Sequence, residues 1–70
     1  MIQVTIEDPD KEKINQLYPL AMKVGDPFAM DRGPMKGTGR CIRRKLTQSG
    51  GILFTIHYVD GTIKEWEWFD

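Results

Sequence analysis

Residues 52–69 read ILFTIHYVDGTIKEWEWF, two β-rich runs on either side of Asp60-Gly61. Asp-Gly between alternating apolar residues is a strong hairpin signal, because both residues tolerate the positive φ angles of a tight two-residue turn. Such a turn sets Val59 opposite Thr62. Ile52, Phe54, Ile56 and Tyr58 then share a face with Ile63, Glu65, Glu67 and Phe69, and Leu53, Thr55, His57 and Val59 share the other with Thr62, Lys64, Trp66 and Trp68. The two strands disagree about which face is inside. Three arrangements remove the conflict: a bulge after the turn shifts the register by one residue, strong twist in a closed barrel covers both faces, or the tryptophans lie outside.

Working outward, short β-branched or apolar runs alternate with turn signals at Gly25-Asp26-Pro27, Gly33-Pro34, Gly37, Gly39 and Ser49-Gly50-Gly51. This punctuation predicts strands near 24–31, 38–47, 51–59 and 62–69 and an all-β fold, a small barrel or sandwich. Upstream, IQVTIE at 2–7 alternates Ile2, Val4 and Ile6 with polar residues and reads as a further strand. Asp8-Pro9-Asp10 ends it, and Ile14, Leu17 and Tyr18 at spacings of three and four predict a short helical segment closed by Pro19.

Seventy residues make one domain, 1–70, with an N-terminal strand and helical segment over 1–23 and a barrel over 24–69. A chain of this length buries only about 60% of its unfolded surface, so its stability margin is thin. Cys41 is the single cysteine and His57 the single histidine, too few for an internal disulfide or a structural zinc site. No cofactor and no metal are expected. The start MIQVTIED lacks a basic, apolar leader and no apolar run is long enough to span a bilayer, which gives a cytoplasmic expectation with no membrane partner.

The formal net charge is zero, but its distribution is uneven: residues 31–45 hold Arg32, Lys36, Arg40, Arg43, Arg44 and Lys45 against Asp31 alone. A local basic segment can meet phosphate or a carboxylate patch even in a neutral protein.

VGDPFAMDRGPMKGTGRCI at 24–42 resembles the opening of the KOW motif, through Gly25, Asp26, Gly33, Pro34, Lys36, Gly37 and Gly39. FTIHYVDGTIKEW at 54–66 looks like the strand, turn and strand of Tudor-type domains. Both families are variants of the five-stranded SH3-like barrel, so the resemblance implies that architecture over 24–69 and a binding role. KOW domains contact RNA or RNA polymerase through the loop between their first strands, and Tudor domains hold methylated lysine or arginine in an aromatic cage.

GPMKGTGRCIRRK at 33–45 has the ingredients of a phosphate-contacting loop, with glycines exposing amides and cations supplying charge-assisted donors. No Walker A spacing is present. The plainer reading is a polar hairpin whose arginines pair with carboxylates elsewhere. On a regular strand Arg40, Ile42, Arg44 and Leu46 share one side and Cys41, Arg43 and Lys45 the other, which places Arg44 at a barrel rim or beside a bulge and favours Arg43 and Lys45 for outward contacts.

Trp66 and Trp68, with Tyr58 and Phe28, could stack on bases or serve as protein hot spots. Glu65 and Glu67 beside them repel phosphate and tilt the balance towards a protein partner or a core role; as a pair they read as solvated edge charges. Phe28 and Tyr58 are the aromatics that a Tudor-like cage would draw on. His57 reads as a surface or rim residue facing Lys64 rather than a base, and Cys41 as a thiol without a catalytic partner. The expectation is a non-catalytic binding module. It meets a protein partner through the basic loop and the C-terminal hairpin, at Arg32, Lys36, Arg40, Arg43, Arg44, Lys45, Trp66 and Trp68. RNA or DNA binding by the same loop is the alternative. Small modules of this kind also occur on phages and plasmids as inhibitors of a host protein, a further alternative.

Overall fold

The computed structural model describes residues 6–69. A short helix, α1 (Lys11–Leu17), precedes four strands, β1 (Pro27–Met30), β2 (Gly37–Leu46), β3 (Ile52–Tyr58) and β4 (Ile63–Trp68). The strands form one open antiparallel sheet in the order β1-β2-β3-β4, each pairing with its sequence neighbour. The all-β expectation holds at this level, whereas a closed five-stranded barrel is not what the described residues form. Of the expected strand at 2–7, residues 2–5 lie outside the described part. Glu7 makes a single parallel bridge to Arg43, its N–H donating to the Ile42 carbonyl at 2.9 Å.

The turn at Asp60-Gly61 settles the conflict between the two faces of the C-terminal hairpin. Tyr58 N–H donates to the Thr62 carbonyl at 2.8 Å and Gly61 N–H donates to the Tyr58 carbonyl at 2.9 Å, so the loop is Val59-Asp60-Gly61 and one residue longer than a tight turn. Gly61 carries φ +91°, the left-handed conformation that closes such a three-residue loop. The Asp60 carboxylate accepts the Thr62 N–H at 2.9 Å. The register therefore slips by one: Ile52 faces Trp68, Phe54 faces Trp66, Ile56 faces Lys64 and His57 faces Ile63. Trp66 and Trp68 join the Ile52, Phe54, Ile56 and Tyr58 face, and Glu65 and Glu67 fall on the other with Leu53, Thr55 and His57.

A second irregularity lies in β2. Cys41 pairs with Ile56 and Arg43 with Thr55, leaving Ile42 as a bulge residue. The side-chain alternation resets there, so Cys41 and Arg44 come to the same inner face, contrary to the regular-strand expectation, while Arg40, Arg43 and Lys45 lie outside. β1 is shorter than 24–31 because Val24-Gly25 is a turn, with Gly25 at φ +96°, the Asp26 N–H donating to the Lys23 carbonyl at 3.0 Å and the Asp26 carboxylate accepting the Lys23 N–H at 3.0 Å.

The inner face of the sheet carries the core: Phe28, Cys41, Ile52, Phe54, Ile56 and Tyr58, closed by Ile14 of α1 and by Met35 from the loop 31–36. Of the expected apolar helix face only Ile14 is buried; Tyr18 is half-buried and Leu17 exposed. Asp10, the residue before α1, does not cap its own helix and instead accepts the Leu46 N–H at 2.8 Å, fixing the helix start to the end of β2.

Candidate functional site

The six basic residues of 31–45 do not form one surface. Arg44 is 1% exposed. Its Nε donates to Asp8 Oδ1 at 2.8 Å, its Nη1 to the Met22 carbonyl at 3.1 Å and its Nη2 to Asn15 Oδ1 at 2.8 Å. The guanidinium thus joins the N-terminal segment, α1 and the chain after it to β2, which removes it from the surface that the sequence suggested for it. Arg43 Nε lies 3.2 Å from Glu7 Oε2, an ion pair without hydrogen-bond alignment. Arg40, on the exposed outer side, donates from Nη1 to the Gly25 carbonyl at 2.6 Å. Lys45 is half-buried on that side, and Arg32 and Lys36 stand exposed in the loop 31–36.

That loop is fastened to the hairpin. Tyr58 Oη donates to the Met35 carbonyl at 2.6 Å, and Lys64 Nζ donates to the Pro34 carbonyl at 3.1 Å while lying 5.3 Å from the Tyr58 ring centroid. Gly37 lets the chain pass the ring, since a Cβ there would meet Tyr58 Cδ2 at 2.6 Å. Of the glycines that resemble a KOW turn, Gly37 and Gly39 therefore serve a close approach of β2 to β3, while Gly25 and Gly33 have open space around them.

The aromatics divide. Phe28 and Tyr58 are buried, edge-on to each other at 6.0 Å, and are unavailable for a cage. Trp66 and Trp68 are half-buried. Trp66 packs on Phe54 at 5.8 Å and Phe28 at 6.2 Å; Trp68 meets Tyr18 edge-on at 5.3 Å, and Tyr18 Oη donates to the Gly50 carbonyl at 2.7 Å. The rings stop short of closing against the segment after α1. Between them lies an open apolar groove of about 520 Å³, with Tyr18, Leu20 and Met22 on one side and Phe54, Trp66 and Trp68 on the other. Leu20, on its rim, is 99% exposed.

The tryptophans thus face inward while their outer edges remain open. The sequence signalled Trp66 and Trp68 but not Tyr18-Pro19-Leu20-Ala21-Met22, whose only hint was an apolar stretch directly behind a helix-ending proline.

The two reactive side chains lie on opposite faces of the sheet. Cys41 is fully buried, its Sγ 3.5 Å from the Arg43 carbonyl, and burial pushes the thiol above its ordinary value. His57 is half-exposed on the outer face opposite Arg40 and Ile63. Among the described residues no three His, Cys, Asp or Glu side chains gather as a metal site needs, and no helix is long and apolar enough to cross a membrane.

No protein-family model, curated protein or solved structure matches this chain.

Proposed function

We propose that the chain is a non-catalytic binding module that holds a protein partner in the groove between residues 18–22 and β4. The observation that carries this reading is the open apolar groove with Leu20 almost wholly in water at its rim. A small domain has little apolar surface to leave exposed; tryptophan is among the residues enriched in binding hot spots, and the exposed Leu20 extends the apolar surface beside the half-buried pair. The Lys64 contact to Pro34 brings the loop 31–36, with Arg32 and Lys36, alongside the same strand, so a partner lying along β4 would meet both the tryptophans and the loop.

An SH3-like barrel belongs to this proposal as its closer fold assignment. What supports it is the four-stranded meander together with the parallel bridge of Glu7 to β2.

The test is capture of a partner by the immobilised chain at low and high salt, with wild type and Leu20→Asp in parallel. Leu20 packs against nothing that folding needs, so its substitution leaves the domain intact. Retention that survives salt and disappears in Leu20→Asp supports the groove. Retention of nucleic acid that is lost with salt and unaffected at Leu20 would transfer the function to the basic loop.

A further inference from the structure

β4 borders the Trp66–Trp68 groove and is also the outermost strand of the sheet. Because Tyr58 N–H reaches the Thr62 carbonyl, the alternation of an antiparallel ladder turns the backbone groups of Lys64, Trp66 and Trp68 towards β3 and those of Ile63, Glu65 and Glu67 away from it. Among the described residues no turn, loop or further strand hydrogen-bonds to these outward groups. Such an edge is a template for another strand.

Charge decides which strand fits. On the outer face β4 presents Glu65 and Glu67, both exposed, opposite Thr55 and Leu53 of β3. Among the described residues neither carboxylate has a cationic partner. A second copy of the chain is the wrong occupant. In either two-fold antiparallel register that overlaps most of β4, Glu65 would face Glu65 or Glu65 would face Glu67, and like charges directly opposite are destabilising. The same carboxylates would favour a strand with cationic side chains at alternate positions.

We propose that β4 accepts, as an added strand, an extended partner segment in which lysine or arginine alternates with apolar residues. Its cationic side chains lie beside Glu65 and Glu67, and its apolar side chains, on the opposite face, enter the groove over Trp66 and Trp68. Main-chain bonds to Ile63, Glu65 and Glu67 give affinity, and the two unlike faces of β4 give selectivity. This inference rests on the reading that the groove holds a protein, and it adds the chemistry and conformation of the segment that enters.

The probe is a short acetylated peptide of alternating lysine and valine, titrated into the intact chain and followed by tryptophan emission and by amide hydrogen exchange. Controls are the glutamate–valine peptide and two lysine–valine peptides, one N-methylated along each edge. Saturable binding of the lysine peptide is expected, with new protection of the Ile63, Glu65 and Glu67 amides, weakened about tenfold by the double change Glu65→Lys and Glu67→Lys, which reverses two cross-strand pairs. The doubly substituted chain should in turn prefer the glutamate peptide. Equal binding of the two charge types, undiminished binding of both N-methylated edges, or absence of protection at the three amides would overturn strand addition. If the peptides fail while a protein captured through Leu20 still binds, strand addition falls and the groove reading stands; if Leu20→Asp leaves capture intact, the groove reading itself falls.

Discussion

Phe54 faces Trp66 across the β3–β4 ladder, their ring centroids 5.8 Å apart, and this one pairing fixes where both tryptophans go. It exists because the loop before β4 holds three residues. Had Asp60-Gly61 formed a two-residue turn, Glu65 would have lain on the core face and Trp66 on the outer one.

The loop therefore depends on Gly61. A Cβ there meets no atom within 4 Å, so the penalty of Gly61→Ala is the left-handed backbone alone. We expect a loss of about 1 kcal/mol in urea unfolding, with the native register retained as judged by the Phe54–Trp66 contact in NOE spectra.

Asp60 contributes through the same loop and gives it a pH signature. The Thr62 N–H bond holds the Asp60 carboxyl below its ordinary value. Its contribution is therefore present above the ordinary aspartate range and lost as pH falls through the depressed folded value. The stability difference between wild type and Asp60→Ala should accordingly close in acid and be complete at neutral pH. A difference that grows on acidification would contradict the assignment.

Arg44 is the tie between the N-terminal segment, α1 and the sheet. Removing one partner of a buried ion pair typically costs about 3–5 kcal/mol, and Arg44→Ala would also orphan Asn15 and the Met22 carbonyl. In a domain this small that is expected to unfold most of the chain at room temperature, measurable by circular dichroism. Arg44→Lys should be only partly restorative, because an ammonium cannot span the three acceptors that the planar guanidinium reaches.

Tyr58 and Cys41 set the behaviour in alkali. Burial raises both groups, and the negative charge of Asp60 adds to the effect at Tyr58. A group raised in the folded state loses its stabilising contribution as pH climbs from its unfolded value through its folded one. Unfolding should then accelerate above the ordinary thiol and phenol ranges, with tyrosinate absorbance appearing together with loss of structure. Tyr58→Phe should lower stability by about 1 kcal/mol through the lost bond to Met35 and speed amide exchange in the loop 31–36. At neutral pH the Cys41 thiol should react with a disulfide reagent only after addition of urea.

The hairpin, the four strand positions and the short helix were legible because they rest on local alternation and on glycine and proline punctuation. The register was not, since Asp60-Gly61 suits both a two-residue turn and the final positions of a three-residue one, and only packing of the tryptophans on Phe54 and Tyr18 chooses between them. The bulge at Ile42 was legible only as one of two alternatives for Arg44, a barrel rim or a bulge, because no glycine or proline marks its position, and without it Arg44 would not share the inner face with Cys41. The groove was half visible: Trp66 and Trp68 stood out, but their opposite wall comes from residues 18–22, and no periodicity links segments that far apart in sequence.

The most direct measurement is acrylamide quenching of tryptophan emission, on the chain alone and in complex with a captured protein partner. If the groove is the binding surface, both indoles are quenched in the free chain and shielded in the complex, and the shielding disappears along with binding in Leu20→Asp. Quenching that is unchanged by complex formation would place the partner elsewhere and contradict the groove as the site.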